Sequence, residues 1–322
     1  MLQSFNLLLQ RIMPIITPIG VLTGIFLSQS LESYVFLVPW IFAFMTFSGS
    51  LSSKLSDFTN LRPYLLPLTV CLFLLHVFMP LVAFSVGKLV FSEDPFTITG
   101  LVLSFIVPTG VSSLIWVTIF KGNVVLTLLI ILIDTMLAPF LVPTLLHMFV
   151  GASIEINGVE IMRGLIWMIV IPSITAMLLN QLTKGRVNES VSPILAPFSK
   201  LSLGAIVALN SSAIASYFKN INGKLLFLII VVFAIALIGY ISGFIFSRLL
   251  KMDRETVIAL TYNGGMRNIG AGAAIAITYF PAPVAVPVVV GMLFQQIIAS
   301  LTGSLLSRFY RRGSRNVNIV EM

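Results

Sequence analysis

Two residues of opposite charge stand inside runs otherwise made of apolar or small side chains: Arg267 in TYNGGMRNIGAGAAIAITYF (261–280) and Asp134 in the run 123–149. An isolated charge at the centre of a bilayer costs about 2.5–3.5 kcal/mol on insertion scales, so such residues face the protein interior or a water-filled cavity and mark a site. Opposite charges lower that cost for each other, and Asp134 is expected to compensate Arg267, directly or through water. The plainer alternative is an ion pair that only fixes the packing of two helices. His76 lies near mid-depth in its own apolar run, as a proton carrier or as a hydrogen-bonded packing residue. Small polar residues gather near Arg267 and 155 or so positions earlier: Asn263 and Asn268 in one place, Thr109, Ser112 and Ser113 in the other. Side chains of these types can hold an anionic solute beside a guanidinium.

Other chemistries lack their residues. The chain has one cysteine, Cys71, which excludes a disulfide framework and a cysteine metal site, and only two histidines, His76 and His147, far apart in sequence. No intramembrane nucleophile and base stand at helical spacing, so an enzyme is not expected, and neither a metal centre nor a cofactor is called for. The net charge of +8 matters through its distribution rather than its sum, and nucleic acid is not an expected partner.

The elements that must hold these residues are transmembrane helices. The 322 residues are 58% hydrophobic and 9% charged, against roughly 25% charged in an average soluble domain. Runs of about 20 apolar residues, the length that spans a hydrocarbon core, recur near 10–30, 33–52, 63–90, 97–120, 123–149, 160–182, 199–218, 224–250, 255–280 and 284–309. The first run has no small-residue cleavage site and reads as a retained helix. Fourteen of the nineteen Lys and Arg residues then fall on one side, four on the other, and Arg267 within a span. The positive-inside rule places both termini in the cytoplasm, in a multi-pass protein of the cell inner membrane.

The fourth span is interrupted by Pro108-Thr109-Gly110 and the ninth by Asn263-Gly264-Gly265. Proline removes a backbone donor and glycine relaxes the chain, so both helices are expected to break there. The breaks lie about half a chain apart and each is followed by one more span. That pattern predicts an all-α protein of about ten helices as two inverted five-helix repeats, with helices 4 and 9 broken at a mid-membrane site.

These blocks, GGMRNIGAGAAIA with GSLLS near the end, PTGVSS…KGNVVLT…APFLVPTLL at 108–146, MPL at 79–81 and GSLSSKLSDF at 49–58, together resemble the bile acid:sodium symporter family over most of the chain. The resemblance implies a panel subdomain from 1–52 and 160–218, a core subdomain from 63–149 and 224–309, and a cytoplasmic tail at 310–322. In such proteins helices 4 and 9 cross in the core, and an organic anion binds between the subdomains, which rock to give alternating access. Sodium-coupled members carry Glu and Gln ligands at the positions of Asn263 and Arg267. Of the remaining ligand types this chain keeps Ser113 and Thr127, while Leu114 and Ile131 replace polar residues.

A guanidinium near a sodium site should repel the ion: two like charges 4 Å apart cost about 4 kcal/mol at an effective dielectric of about 20. The sequence therefore predicts a secondary transporter for a small organic anion, bile-acid-like, carboxylate or sulfate. It would be sodium-independent, with Arg267 standing in for the sodium charge, and either a uniporter or proton-coupled through Asp134 or His76. The alternatives are a sodium symporter with a rearranged site at Ser113, Thr127 and Asn263, and a channel-like leak. Substrate contacts are expected from Arg267, Asn268, Asn263, Thr109, Ser112 and Ser113.

Overall fold

The computed structural model describes residues 2–53, 61–219 and 222–320, with side chains for 5–53, 61–218 and 222–310. Residues 54–58 of the GSLSSKLSDF segment and the last two residues of the 310–322 tail lie outside the described residues. The helices are α1 (Leu2–Phe26), α2 (Ser28–Ser50), α3 (Arg62–Val90), α4 (Pro95–Ile106), α5 (Ser113–Ile119) and α6 (Val124–Val150) in the first half. They are followed by α7 (Gly158–Leu182), α8 (Ser192–Ala213), α9 (Gly223–Leu249), α10 (Arg254–Gly265), α11 (Ile269–Tyr279) and α12 (Ala282–Val320). Among the described residues eight helices are long and apolar enough to cross a membrane, and the pairs α4–α5 and α10–α11 supply two broken spans, ten in all.

Helices are the outcome because lipid offers no partner for a free N–H or C=O, so each segment must satisfy its own backbone. Their starts are written locally. Asp94, Asn123, Asn157, Asn222 and Asp253 cap α4, α6, α7, α9 and α10, each side chain accepting from the amide three residues on. Two caps repeat one design. Asp94 binds the amide and hydroxyl of Thr97, Asp253 binds those of Thr256, and both α4 and α10 then run for 12 residues before breaking.

α1 packs along α8, α8 along α2, and α2 along α7. At Gly24 a Cβ would strike the Ala208 carbonyl, so α1 and α8 touch backbone to backbone. α9 lies on α10 in the same manner: a Cβ on Gly243 would come 2.5 Å from the Leu260 carbonyl oxygen. Aromatic rings tie the two broken spans together, with Trp116 of α5 and Phe120 just after it stacked against Tyr262 of α10 at interplanar angles of 10° and 16°.

Two expectations are corrected. The seventh span was expected at 199–218, but α8 begins at Ser192, where Pro193 occupies the first turn that suits it. The ninth span was expected to break at Asn263-Gly264-Gly265, yet all three lie in α10 and the unwound residues are Met266–Asn268. The glycines serve close packing instead: Gly264 faces Gly239 and Gly243, and a Cβ on Gly265 would enter the Tyr240 ring.

Candidate functional site

The two unwound stretches, 107–112 and 266–268, run antiparallel past each other and form an isolated bridge at Thr109 and Arg267. The Asn268 amide donates to the Pro108 carbonyl at 2.7 Å and the Gly110 amide to the Met266 carbonyl at 3.3 Å. Proline at 108 sets an extended approach and removes one donor; glycine at 110 admits the Arg267 backbone, whose carbonyl oxygen would lie 2.8 Å from a Cβ there. Each stretch thus supplies the partners the other lost when its helix broke. Four helix ends converge on the bridge, the C-termini of α4 and α10 and the N-termini of α5 and α11.

Arg267 is 1% exposed and its side chain lies on the two C-termini. Nε donates to the Phe105 carbonyl at the end of α4 at 3.2 Å, and Nη1 to the Gly264 carbonyl of α10 at 3.0 Å, with the Asn263 and Met266 carbonyls 3.4 and 3.5 Å away. A helix C-terminus carries about half a negative charge; the guanidinium neutralises two of them. Nη2 is buried without a hydrogen-bond partner.

Asn263, Ser113, Thr127 and Thr109 meet beside it, all 0% exposed. Asn263 Oδ1 accepts from the Ser113 hydroxyl at 2.9 Å, while its Nδ2 donates to Thr127 Oγ1 at 3.1 Å and to the Ala259 carbonyl at 2.8 Å. The Thr109 hydroxyl lies within 3.1–3.4 Å of the Asn263 carbonyl, its Oδ1 and the Met266 carbonyl. A sodium ion needs converging oxygens, normally with a carboxylate. Here an amide N–H fills the space between Thr127 Oγ1 and the Ala259 carbonyl, and the neighbouring charge is a guanidinium, so the set does not fit sodium as arranged. Among the described residues no cluster of His, Cys, Asp or Glu suited to a metal ion occurs.

Asp134, 0% exposed, does not pair directly with Arg267. Its Oδ1 lies 2.6 Å from His76 Nε2, and its Oδ2 accepts from the Thr109 amide at 2.6 Å, within the crossing itself. The partner is set by backbone geometry. Pro80 has no N–H to offer the His76 carbonyl four residues back, and α3 widens into a π-turn over Leu74–Phe78 that presents His76 to α6. Such a turn carries no pattern of apolar residues that would predict it.

A cavity of about 340 Å³ lies between the crossing and the α1, α2 and α8 helices. Arg267, Asn268 and Ser112 line it, as do the first residues of α11, Ile269 and Gly270; Asn263, Thr109, Ser113 and Thr127 are not among its walls. Gln295 also lines it and accepts from the Arg267 amide at 3.0 Å, whereas Gln296 is turned away to accept from the Trp116 indole at 2.8 Å. Asn210, Ser211 and Ser212 do not reach it. Lys200 does, although the expected 199–218 span put it at the membrane edge among the cytoplasmic basic residues. Its signal was the spacing Ser192, Ala196, Ser199, Lys200, Leu203, Ile206, one face of α8, all lining the cavity. Lys200 Nζ is held by Asn6 of α1, at 2.6 Å from Oδ1.

Residues 8–312 match the profile of the SBF-like CPA transporter family. The chain is 50% identical over 297 residues to the uncharacterized protein YbaS of Bacillus subtilis (strain 168), covering 92% of this chain and 97% of YbaS. It is 25% identical over 299 residues to the uncharacterized sodium-dependent transporter YocS of the same organism, covering 89% and 91% of the two chains. It is also 29% identical over 239 residues to the "Probable sodium/metabolite cotransporter BASS1, chloroplastic" of Arabidopsis thaliana, covering 73% of this chain and 57% of that protein.

Proposed function

The chain belongs to the SBF-like CPA transporter family, and from that premise we propose that it is a secondary carrier for a small organic anion which works without sodium, Arg267 serving as its built-in cation. The observation that carries this reading is the placement of the guanidinium on the carbonyl ends of both broken helices, which it joins through a positive charge built into the chain. In a sodium-coupled relative that charge would come and go with each cycle; here it is covalent and permanent.

The cavity supports the anionic solute. Its walls include Phe42, Met45, Leu203 and Ile206, which suit an apolar body. Its polar end is the N-terminus of α11 beside Arg267 and Ser112, where amides and helix dipole favour an anion. Lys200 offers a second positive charge further along the wall. A carboxylate or sulfonate on a compact apolar skeleton matches both halves. The cavity reaches Ser52 and Ser192, at the ends of α2 and α8 next to the basic loops, so with the termini in the cytoplasm of an inner membrane it is an inward-facing site. Rocking of a panel (α1, α2, α7 and α8) against a core (α3–α6 and α9–α12) would open the other side, where Asn210 and Ser211 are now buried.

The test is a thermal-shift panel of carboxylates and sulfonates on the purified protein, in sodium chloride and in choline chloride, because a ligand that binds only the folded state raises its apparent stability. Shifts that are equal in the two salts are expected. A shift that requires sodium would overturn sodium independence and favour the second reading, a sodium-coupled symporter. That reading is suggested by the names of YocS and BASS1 and by the gathering of Ser113, Thr127 and Asn263.

A further inference from the structure

We infer that His76 and Asp134 form a proton-binding site that is mechanically joined to the helix crossing. With Asp134 accepting from the Thr109 amide through one oxygen, the other oxygen takes the His76 Nε2 proton at 2.6 Å, which fixes the neutral imidazole as its Nε2–H tautomer. Nδ1 is then a bare lone pair, and it is buried without any hydrogen-bond partner. A proton added at Nδ1 turns the imidazole into an imidazolium already held by a carboxylate. No other bond need break.

The charge balance gives that proton a role. Unprotonated, the layer contains Arg267 and Asp134 and is neutral; protonated, it carries one uncompensated positive charge inside the membrane domain, which disfavours proton uptake unless a negative charge arrives. An organic anion in the adjoining cavity is such a charge. Proton and monovalent anion then favour each other's binding and cross with no net charge. The coupling role rests on the carrier reading above, whereas the binding site rests on the geometry alone.

The connection to the crossing is a single bond. The carboxylate that holds His76 also holds the amide of Thr109, the residue bridged to Arg267. Imidazolium draws carboxylate density toward Oδ1 and weakens the Oδ2 bond to Thr109, so the proton is felt where the two broken helices meet. Other titratable groups facing this layer are Cys71 on α3, Arg267 at the crossing, Tyr240 on α9 and Tyr262 on α10. None of them makes a hydrogen bond to the pair. A strongly interacting pair titrates as a unit, so the observable is a property of His76 and Asp134 together.

The chain has two histidines, so His147→Gln leaves His76 as the only imidazole. The experiment is histidine- and threonine-selective NMR on the full-length protein in nanodiscs, in that background, from pH 5 to 9. The expected result is one transition of the His76 ring, mirrored at the same midpoint by the Thr109 amide. In Asp134→Asn the Thr109 amide should no longer follow the His76 ring; should that variant fail to fold, the shared midpoint decides. A ring that does not titrate in this range, or one that titrates while Thr109 stays still, overturns the inference. No transported solute is used, so a negative result here leaves the carrier reading standing, and an empty anion panel leaves the proton site standing.

Discussion

Arg267 and Phe105 are joined across the two broken helices: the guanidinium Nε of one donates to the backbone carbonyl of the other at 3.2 Å, 162 residues away in sequence. The same side chain reaches the Gly264 carbonyl at 3.0 Å. A planar fork with several donors can serve two helix ends at once, and an ammonium at the end of a flexible stem cannot do so in fixed geometry.

Arg267→Gln should therefore lower stability by about 3–5 kcal/mol, the scale of removing one member of a buried charge set, and Arg267→Lys should recover only part of it. The readout is the apparent Tm in detergent. Because Asp134 loses its opposite charge when Arg267 is lost, adding Asp134→Asn should restore some of the deficit. Losses that simply add would mean the two charges do not sense each other across the Thr109 backbone.

At Asn263 a single-atom change reverses the chemistry. Asn263→Asp replaces the Nδ2 donor by an acceptor facing Thr127 Oγ1 and the Ala259 carbonyl. In choline chloride the variant should lose about 1–3 kcal/mol for the groups left unpaired. Sodium should raise its Tm by several degrees while leaving the parent unmoved. A sodium shift of equal size in the parent would contradict the built-in cation.

Lys200 lines the cavity while its Nζ donates to the carbonyl and Oδ1 of Asn6 on α1. For whichever carboxylate or sulfonate shifts the parent most, Lys200→Gln should weaken binding five- to tenfold, about 1–1.4 kcal/mol, with the unliganded Tm within a degree or two. An unchanged Kd would remove Lys200 from the site.

A pH effect is expected at the end of α4. Burial works to raise the Asp94 carboxyl, but bonds from the Lys224 ammonium and from Thr97 outweigh it and hold it below its ordinary value. A group depressed in the folded state contributes stability above its unfolded value of about 3.9, and that contribution is lost as pH falls through the lower folded value. Lys224 is well exposed, so the ion pair itself adds less than about 1 kcal/mol. Asp94→Asn keeps a capping oxygen and should flatten only this acid limb, whereas Asp94→Ala should also lose about 1 kcal/mol at neutral pH. Unfolding curves from pH 7 to pH 3 separate the two.

Much of this was legible in the residues. Apolar runs gave ten spans because lipid imposes length and composition on every helix. Arg267 and Asp134 stood out because charge is rare in such runs, and Ser113, Thr127 and Asn263, which only the family resemblance had grouped, meet through hydrogen bonds. What the residues did not disclose depends on helix rotation. Asp134 meets His76 because Pro80 forces a π-turn in α3, and nothing in hydropathy reports a turn that adds one residue. The break after Gly265 rather than within Asn263-Gly264-Gly265 reflects packing of α9 on α10, a tertiary demand that a glycine pair does not announce. Lys200 stood at the first turn of the expected 199–218 span, and it faces the cavity because α8 starts at Ser192, earlier than its apolar run.

The bridge between Thr109 and Arg267 also constrains how the protein is made. A ribosome delivers Pro108, Thr109 and Phe105 to the bilayer long before residues 266–268 leave its exit tunnel. During that interval the nascent first half holds an open backbone and an Asp134 that has His76 and the Thr109 amide but not yet the opposite charge of Arg267. It must wait beside water, an insertase or another chain until the late segment threads in and closes it. Ribosome profiling and arrested intermediates should find this half retained at the translocon, and released to lipid only once Arg267 has emerged.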